Sequence, residues 1–475
     1  MSESSPTPTG RAQPATPTST RAGAPPAPTQ RSTVRPAEVA AVTARHMLVD
    51  GFSIILDLEK SHGSRLLDER DGTEYLDCYT FFASAPLGLN PDGLADDAAF
   101  LAKLGRVAAN KPANSDMLTT YLAEFTETFS RVLGDEALPH LFFIEGGALA
   151  VENALKVAFD WKSRQNEANG RSRDLGTKVL HLAHAFHGRT GYTLSLTNTD
   201  PIKVDRFPKF DWPRISSPAI TFPIEEHRDE LEQAEQAALR EAAAAFAANP
   251  HDIACFIAEP IQAEGGDRHL RAEFLQAMQA LCIEHEALFI LDEVQTGVGL
   301  TGTPWCYQQL GLEPDVVAFG KKVQLGGIMA GRRVDSVRDN VFQVSSRINS
   351  TWGGNLVDMV RSTRLLEIIE ETGAIENAAT VGRRLVAGLE NLSARYPDTL
   401  SNPRGRGLLA AIDLPSRSER DAVVSALHTD EHVLVLSCGE ETVRLRPALD
   451  FTEHDVDAVL AAIDRVVAAS SGARR

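Results

Sequence analysis

The chain of 475 residues predicts an α/β protein with a large, mostly parallel sheet followed by a smaller α+β lobe. Short, wholly apolar runs separated by helix-length stretches predict the sheet, because parallel strands are covered on both faces and read as continuous hydrophobic segments. Near Leu356 the pattern changes to long amphipathic helices ahead of short strands, which predicts the second lobe. A chain of this length is also too long for one simple core.

The elements follow in order. Leu141–Ile144, Val179–Leu182, Ile253–Ala258, Ala287–Leu291 and Val316–Phe319 are the strand candidates of the sheet. Leu149–Arg164 is predicted helical, since Val151, Ala154, Leu155, Ala158 and Trp161 recur at helical spacing. Glu225–Ala248, rich in Ala and Glu, reads as an exposed helix packed by one face. In the second lobe, helices are expected at about Met359–Glu371 and Glu376–Arg395. Strands are expected at Leu408–Leu414, Val433–Leu436 and Val443–Leu445, and a last helix at Glu453–Ala469. The expected division is a disordered tail (1–36), a segment packing with the small domain (37–85), a large domain (86–356) and a small C-terminal domain (357–475).

The tail has Pro, Thr, Ser and Ala in abundance and no long apolar residue beyond Met1 and Val34, so it cannot offset its ordering entropy. Arg11, Arg21 and Arg31 with few acidic residues resemble a targeting peptide. Eight prolines, however, would break the amphipathic helix such a peptide needs. The net charge of −18 argues against nucleic acid or an anionic membrane as partner, and no apolar run reaches transmembrane length. Five scattered cysteines without a Cys-x-x-Cys pair imply neither a disulfide framework nor a zinc ribbon, and fit a cytoplasmic location.

Two strands run straight into ionisable residues. Ala287–Leu291 ends in Asp292, and Val316–Phe319 passes through Gly320 into Lys321 and Lys322. The carboxyl ends of such strands are where open α/β sheets hold ligands. A lysine there can form a Schiff base, and an aspartate can keep a pyridinium nitrogen protonated. Pyridoxal 5′-phosphate (PLP) needs both from a protein. In Ile144-Glu145-Gly146-Gly147-Ala148, a strand turns through two glycines into a helix. This is either an ordinary turn or an anion site at a helix start. It is not a Walker A loop, because Lys321 lacks that motif's upstream glycine and following Ser/Thr. His181, His184 and His187 fall at intervals of three, but a strand, a glycine and the lack of a nearby carboxylate speak against a metal site.

These motifs together resemble the class III (subgroup II) aminotransferases of fold type I, over roughly residues 38 to 470. The resemblance implies a fold type I PLP-dependent transferase with a large PLP domain. It implies Lys321 as the covalent tether, with Lys322 the alternative, and Asp292 as partner of the ring nitrogen. Gly147 and Ala148 would cup the phosphate, Phe186 would stack on the ring, and Gln295 would bond its hydroxyl. Thr351 would reach the phosphate from the other subunit, which implies a homodimer. In Phe186-His187-Gly188-Arg189, Arg189 would bind a substrate carboxylate, which its planar fork suits. Glu259 would be structural. Glu264 would pair with a second arginine, best matched by Arg444. Arg446 is the neighbouring alternative, and only one of the two is expected on the site face.

Leu300 stands where the family commonly has arginine. Lys322-Val323-Gln324-Leu325-Gly326-Gly327 also departs from the usual continuation. Both changes, and Asn349-Ser350-Thr351-Trp352-Gly353-Gly354-Asn355, resemble the lysine 6-aminotransferase branch, with Asn349 among the substrate residues. The implied reaction moves the terminal amine of L-lysine to 2-oxoglutarate, giving the 6-semialdehyde and L-glutamate by a ping-pong scheme. The alternatives are another ω-aminotransferase acting on ornithine, acetylornithine or 4-aminobutyrate, another PLP reaction such as decarboxylation, or a non-catalytic binding protein of this fold.

Overall fold

The structure, a computed structural model, describes residues 34–472. Of the expected tail, residues 1–33 lie outside the described residues. Residues 34–55 form a short unit of their own, with a 3-10 turn at Pro36–Glu38 and a helix at Val39–Thr43. The remainder forms the second unit.

A seven-stranded sheet organises that unit. Its order is His140–Ile144, Gly326–Ala330, Val316–Phe319, Leu288–Asp292, Ile253–Ala258, Lys178–Leu182 and Arg214–Ile215. The last five in this order pair parallel, while Gly326–Ala330 runs antiparallel to both its neighbours. The period of two is visible in the core. Cys255, Ile257, Leu288, Ile290, Val316 and Ala318 join the cluster around Val151, Leu155 and Trp161 of one long helix. Phe256, Phe289, Leu291, Val317 and Phe319 face a second cluster that includes Phe274 and Met278. Both faces are thus covered, as parallel strands require.

The five expected strands of this sheet are all present within a residue or two. Two strands were not expected. Gly326–Ala330 opens with two glycines, and Arg214–Ile215 is only two residues long. The helix expected at Leu149–Arg164 runs from Gly147 to Ala168, because Gly146, at φ 88°, caps the turn two residues earlier. The helix pair of the second lobe is Leu356–Thr372 and Ala374–Arg395, divided at Gly373 in the left-handed region.

Expected strand Leu408–Leu414 is corrected to Leu409–Asp413, which pairs antiparallel with Ser401–Arg406 on one side and Thr442–Leu445 on the other. Val433–Leu436 divides. Val433–Leu434 pairs with Glu74–Asp77, and Leu436–Cys438 joins Thr442–Leu445. The last helix spans Glu453–Gly472. No helix among the described residues is long and apolar enough to cross a membrane.

Candidate active site

Four parallel strands end at one edge of the sheet, so the residues that follow them converge. Asp292 closes its strand, Lys321 follows Val316–Phe319, Glu259 follows Ile253–Ala258, and Phe186 to Arg189 follow Lys178–Leu182. They line one cavity of about 300 Å³. Gly147 and Ala148, at the start of the long helix, line it too, as do Glu264 and Gln295. The first N–H groups of that helix have no partner within it and carry the positive end of its dipole.

Asp292 is buried and accepts at Oδ2 from His187 Nδ1 at 2.7 Å, and at Oδ1 from Val294 N at 3.1 Å. Burial opposes a charge on His187, but the hydrogen bond and charge of Asp292 outweigh it and raise the imidazole pKa. The hydrogen bond from the buried imidazole therefore fixes the orientation of the carboxylate.

Lys321 adopts φ 50°, a conformation that a non-glycine residue holds only when its surroundings impose it. Burial pushes its amine down to about 8, helped by the nearby charge of Arg444 and opposed by Asp292. Lys322 differs. It is buried away from the cavity lining, and its Nζ donates to the Gln295 carbonyl at 2.7 Å. Glu259 accepts from Phe186 N at 2.9 Å and Ala263 N at 3.2 Å, so it braces the turn under Phe186. Burial raises its carboxyl to about 7.

Space is tight where the ring-binding residues meet. A Cβ on Gly147 would come 2.7 Å from Val294 Cγ1, and one on Gly320 would come 3.1 Å from the Gly147 Cα. Glycine at both positions lets the helix start approach the Lys321 strand end.

Arg444 Nη2 donates to Glu264 Oε2 at 3.0 Å, while its buried Nε and Nη1 have no partner among the described residues. Arg446, fully buried, is held by Asp267, by the Leu445 carbonyl at 2.8 Å and by Gln295 Oε1 at 3.3 Å. The two arginines are two residues apart, and a period of two places them on the same side. Strand alternation therefore does not choose between them, contrary to expectation, and neither is among the residues that line the cavity. What separates them is their partners, since Arg446 is spent on structural bonds and Arg444 keeps open donors. Arg189 is exposed on the cavity wall. Thr351 and Asn349 are exposed and do not line the cavity within one chain. Ser115 Oγ donates to the Thr351 carbonyl at 3.3 Å.

Two contacts were not expected from the sequence. His187 is the partner of Asp292, and Lys203 forms an ion pair with Glu264. Burial would raise Glu264, but the charges of Arg444 and Lys203 prevail and lower its pKa.

The sequence model of class-III aminotransferases matches residues 48–467. The chain is a class III aminotransferase. Among curated proteins, the aminotransferase is 58% identical over 428 residues to an L-lysine-epsilon aminotransferase of Mycobacterium tuberculosis, covering 90% of this chain and 95% of that one. It is 55% identical over 425 residues to the L-lysine-epsilon aminotransferase of Streptomyces clavuligerus, covering 90% and 93%. A 4-aminobutyrate aminotransferase of Schizosaccharomyces pombe is 32% identical over 431 residues, covering 87% and 89%. A solved lysine aminotransferase from M. tuberculosis in the internal aldimine form superposes with a TM-score of 0.90 at 57% identity, covering 92% of this chain and all of that one.

The enzyme has the fold type I architecture and uses PLP. Its cavity suits that cofactor: an amine with a lowered pKa, a buried carboxylate, an aromatic side chain and a helix start share its walls.

Proposed function

We propose that this aminotransferase moves the terminal amine of L-lysine to 2-oxoglutarate, releasing the lysine-derived 6-semialdehyde and L-glutamate. The observation that carries the reading is the Glu264–Arg444 pair at the cavity, with two guanidinium donors of Arg444 still open. Lysine has no carboxylate beside its reacting carbon, whereas 2-oxoglutarate has one. A bare buried guanidinium beside the alkyl chain of lysine would be costly. Glu264 neutralises Arg444 while lysine is bound and yields it to the α-carboxylate of 2-oxoglutarate. Arg189 holds the distal carboxylate of either substrate. The high identity to L-lysine-epsilon aminotransferases supports the same choice of donor.

PLP, when bound, supplies the electron sink for the substrate C–H bond. In this reading Lys321 would be its tether, and the Lys321 amine would take the proton from Cε of lysine and deliver it to the cofactor carbon that receives the amine. An amine whose pKa lies near 8 suits both directions of transfer. Asp292, oriented by His187, would keep the ring nitrogen protonated. Gly147 and Ala148 would receive the phosphate, Phe186 would cover the ring and Gln295 would bond the ring hydroxyl. Thr351 and Asn349 complete the site from a second copy, so the working unit is a homodimer, in the cytoplasm.

Purified protein offered lysine, ornithine, acetylornithine and 4-aminobutyrate with 2-oxoglutarate tests the choice of donor. One methylene changes discrimination by only about 1–3 kcal/mol, so the profile should be graded. Lysine should give the highest kcat/KM for glutamate formation. A higher value for any other donor refutes the assignment.

A further inference from the structure

We infer that Lys203 is the positioning residue that receives Glu264 when it leaves Arg444. The inference rests on the Glu264–Arg444 reading above. Glu264 lies between two cations: one carboxylate oxygen pairs with Arg444 Nη2 at 3.0 Å, and the other pairs with Lys203 Nζ. The three differ in exposure. Arg444 is fixed in a strand with its side chain 2% exposed, whereas the side chains of Glu264 and Lys203 are 24% and 19% exposed. Lys203 ends a 3-10 turn, Pro201–Lys203, whose Ile202 N–H is capped by Asp200 Oδ1 at 3.0 Å. Its ammonium also stands 5.8 Å from the centre of the ring of Phe186, a residue that lines the cavity.

Charge arithmetic gives Lys203 its role. Lys203, Glu264 and Arg444 together carry +1. An arriving α-carboxylate brings the group to zero, with two anions shared between two cations. Without Lys203 the same arrival would put Glu264 and the substrate carboxylate on Arg444 alone, and the retracted Glu264 would have no partner. Lysine brings no carboxylate to this position, so its binding does not call on Lys203. The apparent affinity for a ligand falls by the fraction of enzyme in the competent state. Loss of Lys203 should therefore weaken binding of dicarboxylates selectively.

The test is calorimetric titration of the PLP-loaded enzyme with glutarate, a dicarboxylate that lacks the keto group and cannot react. Hexanoate, with one carboxylate, is the control. Lys203→Gln should weaken glutarate roughly five- to thirtyfold, as loss of one partner from a half-buried charge pair does. Hexanoate should change by no more than about twofold. Lys203→Arg should restore most of the glutarate affinity. In a Glu264→Gln background, Lys203→Gln should add no more than about twofold, because the anion it serves is gone. Equal weakening of glutarate and hexanoate, or a full Lys203 effect in the Glu264→Gln background, would overturn the inference. The reading beneath it fails separately, if Glu264→Gln by itself leaves the ratio of glutarate to hexanoate affinity unchanged.

Discussion

Adjacent lysines with opposite surroundings decide the chemistry at the residue scale. Lys321 faces the cavity with an amine lowered to about 8, while the Lys322 amine donates to a buried carbonyl at 2.7 Å. Borohydride reduction of the PLP-loaded enzyme, followed by peptide mapping, should label Lys321 alone, and Lys321→Ala should abolish labelling and turnover. Label on Lys322 would refute the assignment. The neighbouring Glu293 allows a pH test. It is buried, accepts from Tyr307 N at 2.8 Å, and burial raises its carboxyl to about 7 from an ordinary value of 4.5. Between these values the folded state holds a proton that the unfolded state has released, so this group's contribution falls as pH rises from 4.5 to 7. Glu293→Gln removes the titration and leaves an oxygen for Tyr307. Its melting temperature should match wild type near pH 5 and exceed it near pH 8, by at most about 3 kcal/mol of stability. A constant difference across that range would contradict the assignment.

At the scale of elements, the unusual segment is Thr80–Ala83, four consecutive non-glycine residues at φ 44°, 52°, 60° and 62°. Left-handed turns cost roughly 1–2 kcal/mol per such residue, so the surroundings must impose this one. Asp77 Oδ1 accepts from Tyr79 N and Thr80 N, both at 2.8 Å, and Thr80 Oγ1 donates to the Arg446 carbonyl at 2.6 Å. Gln324 Nε2 reaches the Ser84 carbonyl at 2.6 Å, tying the turn to the stretch after Lys321. Asp77→Ala should lower stability by about 1–3 kcal/mol and raise hydrogen exchange across residues 79–85 first. Uniform exchange throughout the protein would show that the turn is not held locally.

The sequence made some elements plain and concealed others for physical reasons. Ile253–Ala258 and Leu288–Asp292 are buried on both faces, and continuous apolarity announces that state. Gly326–Ala330 opens with two glycines, and Ser401–Arg406 carries two arginines and a proline, so neither has a strand-like composition; their partners' hydrogen bonds make them strands. In the site, Asp292 and Lys321 were legible because one ends a recognisable strand and the other follows one by two residues. The pairing of Asp292 with His187 spans 105 residues and that of Glu264 with Lys203 spans 61, and no local pattern encodes such contacts.

Across the whole molecule, we propose that a single cavity serves two unlike substrates by moving one carboxylate. Thr351 and Asn349 lie outside the cavity of their own chain, which fits residues supplied by a second copy. Light scattering should find a dimer. Thr351→Ala should raise the PLP dissociation constant without changing that mass, whereas a fully active monomer would contradict the account.

Single-turnover measurement of the two half-reactions separately, on Glu264→Ala and Arg444→Ala, shows whether one carboxylate switches the cavity between the two substrates. Removing one partner of a desolvated charge pair costs on the order of 2–5 kcal/mol, well within reach of stopped-flow spectra. Glu264→Ala should slow the lysine half-reaction and leave the 2-oxoglutarate half-reaction intact or improved. Arg444→Ala should chiefly damage the 2-oxoglutarate half-reaction. Equal losses in both half-reactions for both variants would contradict the account, and would mean that neither residue distinguishes the two substrates.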